Sequence, residues 1–331
     1  MKPSNSSSMK CLIIYFSLTG NTKKIAEAIH TGVRELVAEC DIAKIKEVNI
    51  QDPARYDLIG LGSPVHFYEP ANVTKFIKRM TGVEGKHCFL FCTHATRPEA
   101  FFPSIMEALQ PTGMVIIGTG HWYGSFSDQQ FPKPYLTDGH PDEIDLKEAR
   151  EFGRQMAERS KRIFAGETSL IPEFPVGREV GMEMAMEVQR LATNNAKLPA
   201  SLSFKHGSRK QPKFKTQTKL NMEKCTYPEC RLCVENCPMD GIDLSVSPPR
   251  FAEPCMNCFF CEKICPTGAI EGDFEEAAKI FRWRTKHILA PILAKAEAEG
   301  RFRRLVPLNK VGWDTPYYKV YSKHPRYVIT E

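Results

Sequence analysis

The chain has 331 residues, of which 42% are hydrophobic and 25% charged, so it is long enough for two domains and is neither fibrous nor globally disordered. Its mean hydropathy is −0.33, and no apolar run approaches the ~18 residues that a membrane-spanning helix needs. The first nine residues lack the apolar core of a signal peptide. We therefore expect a cytoplasmic protein without a membrane span.

The formal net charge of +6 is distributed in blocks along the chain. Residues 225–273 carry three basic and eight acidic side chains, whereas residues 274–331 carry twelve and six. One interpretation is a set of solvated faces, and the alternative is a docking surface for an acidic partner protein or an anionic ligand. Because no motif that reads bases accompanies the basic residues, we expect no nucleic-acid partner.

Residues 10–165 alternate short β-branched runs with longer helical patterns. This alternation predicts an α/β domain with a doubly wound five-stranded parallel sheet, in which ligands bind at the carboxyl ends of the strands. The predicted strands are Lys10–Phe16, Asp41–Val48, Tyr56–Gly62, Lys86–Cys92 and Gly113–Gly118. The predicted helices lie near Thr22–Glu39, Ala71–Met80, Pro98–Leu109 and Glu143–Phe164.

The loop after the first predicted strand contains three hydroxyl side chains and one glycine, in the order Ser17, Leu18, Thr19, Gly20, Asn21 and Thr22. Hydroxyls, backbone N–H groups and the amino end of the following helix can converge there on one phosphate. A plain helix-capping turn explains the same residues, because Ser and Thr are common caps. The loop by itself leaves both interpretations open.

Aromatic and small polar residues collect after the next strands of the same sheet. Residues 63–70 and 93–98 follow the third and fourth predicted strands, and residues 120–124 follow the fifth. A planar ring system that extends beyond a phosphate in the first loop would lie at this edge. The alternative for each ring is simple packing of the loop on the sheet.

Residues 10–165 resemble a flavodoxin-like domain, since Ser17 to Thr22 fits that family's phosphate pattern directly after strand one. The resemblance implies FMN, with the phosphate held by the loop residues Ser17, Leu18, Thr19, Gly20, Asn21 and Thr22. It implies that the flavin ring is flanked by Ser63, Pro64, Val65, His66, Phe67, Thr93, His94, Ala95, Thr96 and Arg97. Residues 118–124 lack the spacing of a dinucleotide-binding loop, so no nicotinamide site is expected.

A long connection of residues 125–141 is rich in Pro, Ser, Asp and Phe. Its length exceeds that of most connections in compact domains. It is interpreted as a lid over a flavin, as a partner contact, or as a packed irregular loop.

Eight of the twelve cysteines fall between Cys225 and Cys265. The second half of this stretch matches the bacterial ferredoxin spacing C-x2-C-x2-C-x3-C-P, and the first half differs by two extra residues between its first two cysteines. That resemblance implies two 4Fe-4S clusters. One is bound by set I (Cys225, Cys230, Cys233 and Cys265), and the other by set II (Cys237, Cys255, Cys258 and Cys261). A zinc ribbon leaves four of these cysteines without a role.

The four remaining cysteines are expected to be structural. Three of them lie in apolar segments predicted as strands, namely Cys11, Cys88 and Cys92. Cys40 lies at a predicted helix end. A helical pattern is also present near Val180–Leu191 in the linker, and Asp273–Glu299 predicts one or two helices around Pro291. The aromatic and basic tail that follows is interpreted as docking onto the fold, with coverage of a cofactor as the alternative.

The whole pattern resembles the fused flavodoxin–ferredoxin proteins of anaerobes. The predicted order is a disordered start (1–9), a flavodoxin-like FMN domain (10–165), a linker (166–224), a small α+β dicluster ferredoxin-like domain (225–272) and a helical, aromatic and basic extension (273–331).

Two functions follow from this order of domains. The first is an electron-transfer protein that relays low-potential electrons between the clusters and FMN, to or from a redox partner protein. The alternative is an FMN-dependent reductase of a small substrate, with His66, His94 and His121 as candidate catalytic proton donors. A third hypothesis is a zinc-stapled interaction protein without redox chemistry.

Overall fold

The computed structural model describes residues 9–66, 70–98, 100–174, 218–246, 249–251 and 255–329. They form two compact units. Unit 1 contains the described residues up to Ser125 and from Gly139 to residue 174, and unit 2 contains Phe126–Asp138 and the described residues from 218 onward. The helix predicted near residues 180–191 and the polar basic tract up to residue 217 lie outside the described residues.

Unit 1 is built around one five-stranded sheet in the order β2-β1-β3-β4-β5, with every neighbouring pair parallel. The strands are β1 (Lys10–Tyr15), β2 (Glu39–Lys44), β3 (Leu58–Pro64), β4 (His87–His94) and β5 (Val115–Tyr123). The helices are α1 (Asn21–Arg34), α2 (Ala71–Ile77), α3 (Phe101–Leu109) and α4 (Glu143–Phe164). The predicted doubly wound parallel sheet is therefore confirmed.

The two faces of the sheet bury separate apolar layers. Leu12 and Ile14 of β1 pack with residues of α2 and α3, whereas Ile13 and Tyr15 pack with residues of α1 and α4. Successive side chains of a strand point to opposite faces, and a parallel sheet covered on both faces needs apolar residues on both. The predicted strands are continuously apolar because both of their faces are buried.

All five strands differ from their predicted bounds, the second and the fifth by the most. The second strand is Glu39–Lys44, followed by a short 3-10 turn at Ile45–Glu47, so it begins and ends earlier than the predicted Asp41–Val48. Cys40 consequently lies in this strand and not at a helix end. The fifth strand extends to Tyr123, because it stays paired with β4 along its length.

Helices α1 and α4 approach each other through two glycines. A Cβ atom on Gly32 would overlap the backbone carbonyl of Arg150, and one on Gly153 would overlap the backbone carbonyl of Ile29. Backbone atoms cannot move aside as a side-chain end can. These two positions therefore require residues without a side chain.

We expect Gly153→Ala to lower the free energy of unfolding by about 2 kcal/mol, the cost of overpacking, despite the ~1 kcal/mol advantage of alanine inside a helix. Urea denaturation of the full chain, followed by circular dichroism, measures the change. Glu148→Ala, at an exposed position of the same helix, should change the value by no more than about 0.5 kcal/mol. Equal effects of the two substitutions would contradict the close helix contact.

Unit 2 contains short strands and helices around the cysteine-rich segment. The strands are β6 (Thr218–Leu220), β7 (Ile242–Asp243), β8 (Arg250–Phe251) and β9 (Ile270–Gly272). The helices are α5 (Leu232–Glu235), α6 (Phe260–Ile264), α7 (Glu275–Arg284), α8 (Ala290–Ala298) and α9 (Tyr317–Val320), with a π-helical turn at Thr285–Leu289 between α7 and α8. β6 pairs with β9 and β7 pairs with β8, both antiparallel.

The predicted helices after the cysteines are present. Pro291 lies in the first turn of α8, directly after the π-helical turn. Tyr317 of the tail is buried, and the Tyr318 hydroxyl donates to Glu275 Oε2 at 2.5 Å. The tail is thus docked within unit 2, as one of the two interpretations predicted.

Residues 126–138 belong to unit 2, although the predicted domain boundary at residue 165 placed them in the first domain. Their backbone is paired with the tail: Lys133 N donates to Thr315 O at 2.9 Å, and Tyr317 N donates to Phe131 O at 2.8 Å. The connection is therefore a packed irregular segment of unit 2. Composition could not indicate this, because the pairing joins segments about 180 residues apart in the chain.

None of the helices in the described ranges combines the length and the apolar character needed to cross a bilayer.

Candidate functional site

The first loop of unit 1 leads into the amino end of α1. Gly20 has φ 90° at the position before the helix, a left-handed conformation that favours glycine, and a glycine there has no side chain to cap the helix. The first turn contains Lys23 and Lys24 and no acidic residue. A helix start with positive side chains and no acidic residue in its first turn is a favourable environment for an anion.

Hydrogen bonds join this loop to the ends of β3 and β4. Thr22 Oγ1 and Thr93 Oγ1 are 2.8 Å apart, and both side chains are buried. Val65 N donates to Thr93 O at 2.9 Å, and Ser63 Oγ donates to Pro64 O at 3.0 Å. The structure therefore brings together the three segments that the sequence assigned to one site.

The loop after β5 joins the same edge. Asn21 Nδ2 donates to Ser125 O at 2.8 Å, and a Cβ atom on Gly124 would lie 3.1 Å from Asn21 Nδ2. Gly124 and Ser125 are not among the residues predicted from the sequence to lie at this sheet edge. The glycine at the end of the aromatic loop 120–124 was the available signal, because close approach of another group to the backbone favours glycine.

Two of the three candidate histidines form a pair at this edge. His94 Nε2 and His121 Nδ1 are 2.9 Å apart, and the Tyr123 ring lies edge-on to His94 with centroids 4.7 Å apart. His121 is exposed, whereas His94 is buried. Burial, reinforced by His121 and His140, holds the pKa of His94 well below its usual range. His94 is therefore uncharged at neutral pH.

The remaining predicted residues of the edge differ in exposure. His66 is half-buried just after β3, Thr96 is buried, and Ala95 and Arg97 are half-buried. Phe67 lies outside the described residues. The described part of the edge thus has hydroxyl groups, imidazole rings and an aromatic ring. A ligand with a phosphate and a planar ring would need such groups.

In unit 2, cysteines of set I lie near one another, and so do cysteines of set II. All four members of set II line one cavity, together with Gly241, Phe251 and Phe259. In set I, Cys225 and Cys233 pack against the small apolar cluster that contains Cys265. Within the part of the chain that the structure describes, none of the eight cysteines forms a disulfide.

The two Cys-Pro steps have the same backbone arrangement. Gly241 N donates to Cys237 Sγ at 3.3 Å, and Ala269 N donates to Cys265 Sγ at 3.2 Å, each from the fourth residue after the cysteine. The residue before each donor has a positive φ, 52° at Asp240 and 64° at Gly268. A strand follows each turn. The cysteine module is therefore an internal structural repeat.

Strand pairing follows the same repeat. The strand before each cysteine motif pairs with the strand after the other motif, so β6 pairs with β9 and β8 pairs with β7. Through this exchange, the last cysteine of each motif lies near cysteines of the other motif. Cys265 accordingly lies with Cys225 and Cys233, and Cys237 lies with set II.

A partly buried thiol in each set has a raised pKa. Burial and the neighbouring thiols of set I raise the pKa of Cys233 to about 11. Burial also raises the pKa of Cys258 in set II to about 11. Four gathered thiolates repel one another, so ionisation of a complete set needs bound cationic charge, which a metal centre supplies. The eight cysteines therefore fit two metal centres.

Helix α6, which carries Cys261, is held by a buried charge network. Arg326 Nε lies 2.7 Å from Glu262 Oε1, and Gln129 donates to the other oxygen of that carboxylate. Lys263 donates its ammonium protons to Ser127 O, while its own carbonyl accepts from Arg326 N at 2.8 Å. Residues of segment 126–138 and of the tail thus both bind helix α6. The sequence did not predict these contacts.

We expect Arg326→Leu to destabilise the full chain by about 3 kcal/mol, because it leaves Glu262, only 2% exposed, without its charged partner. Urea denaturation measures the change, and Lys323→Leu at a neighbouring exposed position is the control. Adding Glu262→Gln to the arginine variant should recover part of the loss. No recovery would contradict a role of the ion pair.

Comparison with known proteins places a family resemblance in unit 1. A family model described as a flavodoxin domain matches residues 12–113. An uncharacterized protein of Methanocaldococcus jannaschii, MJ0298, is 34% identical over 158 residues, which cover 45% of this chain and 98% of that protein.

Two further relatives are named as redox proteins. An NAD(P)H dehydrogenase (quinone) of Archaeoglobus fulgidus is 27% identical over 198 residues, covering 46% of this chain and 98% of that protein. A flavodoxin of Clostridium beijerinckii is 26% identical over 149 residues, covering 44% and 97%. Each of these relatives matches less than half of this chain.

Proposed function

We propose, from the premise that this chain belongs to the flavodoxin-domain family, that it is a flavo-iron–sulfur protein that transfers electrons. It relays low-potential electrons between two 4Fe-4S clusters and FMN, to or from a partner redox enzyme. One observation carries the proposal: a flavodoxin-family unit and a doubled cysteine turn with two complete sets of four thiols occur in the same chain.

FMN is the proposed ligand of the sheet edge in unit 1. The flavodoxin relatives support this choice of flavin. Residues 17–22 hold the phosphate through hydroxyls and the amino end of α1, and residues 63–67 and 93–97 flank the ring. The hydrogen bond between Thr22 and Thr93 fixes the first loop against the end of β4, so the phosphate and ring subsites keep a constant separation.

Two 4Fe-4S clusters are the proposed ligands of unit 2. Set I holds one and set II the other. When bound, FMN exchanges one or two electrons and each cluster exchanges one. The protein residues around the sulfurs orient them and donate backbone N–H groups, as at Cys237 and Cys265. Such N–H donors stabilise negative charge on the sulfurs, which raises the reduction potential of a cluster.

The proposed partner is an acidic redox protein in the cytoplasm. Residues 274–331 carry twelve basic and six acidic side chains, and several of the basic ones are exposed, among them Lys279, Lys286 and Lys310. Complementary charge accelerates association with such a partner and makes the rate sensitive to salt.

Quantification of iron, sulfide and flavin in anaerobically purified full-length protein tests the proposal, followed by stepwise dithionite reduction in a spectrophotometer. The expected result is about eight irons and one FMN per chain, with separate flavin and cluster phases. About four irons would reject one of the two cysteine sets as a cluster site. A protein with zinc and no flavin would reject electron transfer altogether.

A second candidate is an FMN-dependent reductase of a small substrate, with the clusters as an internal relay. The exposed His121, hydrogen-bonded to His94 at the sheet edge, favours it, because an imidazole at this place can deliver a proton. The quinone named for one relative indicates the substrate to assay first.

The substitution His121→Asn tests this second candidate. It should lower quinone turnover at least ~100-fold, the usual scale of general acid catalysis, and leave electron delivery to methyl viologen unchanged. His287→Asn, on the π-helical turn of unit 2, is the control. Unchanged quinone turnover in the His121 variant would reject the reductase.

A further inference from the structure

Two cysteines outside both sets lie side by side in the sheet of unit 1. The register of the parallel strands β1 and β2 pairs Cys11 directly with Cys40. Both side chains contact the same apolar layer, between the sheet and helices α1 and α4. Neighbouring strands are ~4.8 Å apart, and disulfides form across Cα separations of ~4.4–6.8 Å.

The two thiols differ in accessibility. Cys11 is 0% exposed, whereas Cys40 is half-buried near the start of β2. β2 is an edge strand, paired only with β1. A small oxidant in solution therefore reaches Cys40 first, and Cys11 is placed to react with Cys40.

The surroundings of Cys40 favour its thiolate. The His30 ring lies beside it, with Nε2 2.9 Å from Cys40 O. Hydrogen bonds from the Cys11 thiol and from His30 outweigh burial and lower the pKa of Cys40 to about 6. Burial and the neighbouring Cys40 raise the pKa of Cys11 well above its usual range. One thiolate next to one thiol is the arrangement of an attacking and a resolving cysteine.

We propose that Cys40 and Cys11 are the attacking and resolving thiols of a reversible disulfide that forms with hydrogen peroxide. The Cys40 thiolate attacks one peroxide oxygen, the O–O bond breaks, and hydroxide leaves, which makes a sulfenic acid on Cys40. The Cys11 sulfur then attacks Cys40 Sγ, the S–O bond breaks, and the Cys11 proton leaves with that oxygen as water. The protein loses two electrons and the peroxide gains them.

Mass spectrometry of the full-length, anaerobically purified protein tests this proposal. After brief treatment with hydrogen peroxide and alkylation, trypsin should release peptides 11–23 and 35–44 joined by a disulfide. Dithiothreitol should separate them. Cys88 and Cys92, which are fully buried on strand β4 of the same sheet, are internal controls and should stay reduced.

Two variants separate the roles of the thiols. Cys11→Ala should accumulate a dimedone-reactive sulfenic acid on Cys40, and Cys40→Ser should leave Cys11 unmodified. The proposal is overturned when Cys40 is oxidised no faster than Cys88, or when its disulfide partner is a cysteine of set I or set II. Because the readout is a peptide linkage, a failure of the proposed electron transfer would leave this result interpretable.

Discussion

The double variant Cys255→Ser and Cys258→Ser is expected to retain about four of the proposed eight irons. Both residues line the cavity of set II, whereas the four thiols of set I stay in place. Removal of two thiolates leaves too few ligands for a cubane. Iron and sulfide analysis of the anaerobically purified protein, with electron paramagnetic resonance after reduction, measures the loss.

Two matched variants control this prediction. Cys225→Ser with Cys230→Ser should remove the other four irons and leave a different paramagnetic signal. Cys40→Ser, outside both sets, should keep all eight. A folded set II variant that retains eight irons would contradict the assignment of the ligands, and a folded variant with no iron at all would contradict two independent sites.

The substitution Thr22→Val is expected to weaken FMN binding ~10- to 100-fold, because hydrogen bonds to charged groups contribute about 1.5–3 kcal/mol. Thr22 lies in the first turn of α1, where the proposed phosphate site is, and its hydroxyl also contacts Thr93. Fluorescence titration of the flavin-free full chain measures the affinity.

Riboflavin provides the decisive comparison for this variant, because it has the same ring as FMN and no phosphate. Its affinity should change little in Thr22→Val, so the preference for FMN should fall. Thr31→Val, on the same helix with its hydroxyl donating to Glu27 O at 2.9 Å, is the matched control. Equal losses for both flavins would assign Thr22 a purely structural role.

Most of unit 1 could be predicted from its sequence because its signals are local. The alternation of apolar strands with amphipathic helices determines a doubly wound sheet, and a parallel sheet places the strand ends at one edge. The hydroxyl-rich loop could thus be assigned to the same site as residues 63–67 and 93–97. The hydrogen bonds of Thr93 to Thr22 and Val65 join these segments.

The relationship between the candidate histidines could not be predicted in this way. The sequence offers His66, His94 and His121 as equivalent imidazoles. Only the packing decides that His94 is buried against His121 and holds no charge at neutral pH, while His121 is exposed. Burial and neighbouring dipoles set such differences, and both depend on residues far away in the chain.

The grouping of the eight cysteines into two sets is predicted from the spacing of the cysteines in the sequence alone. Short spacings bring three thiols together, and proline after the fourth directs it elsewhere. The location of segment 126–138, in contrast, could not be predicted from the sequence. Its composition is compatible with a lid, a partner contact or a packed loop, and only its pairing with the tail and with helix α6 places it in unit 2.

The sequence by itself determined the sheet type, because the strand and helix patterns are local. It also predicted the candidate phosphate loop and the two sets of thiols, from the spacing of residues within each motif. The tertiary structure decided which distant segments meet. It placed Cys40 beside Cys11 in a strand, and Glu262 beside Arg326 in a buried pair. These contacts depend on strand register and burial, which follow from the packing of the whole unit and not from any local pattern.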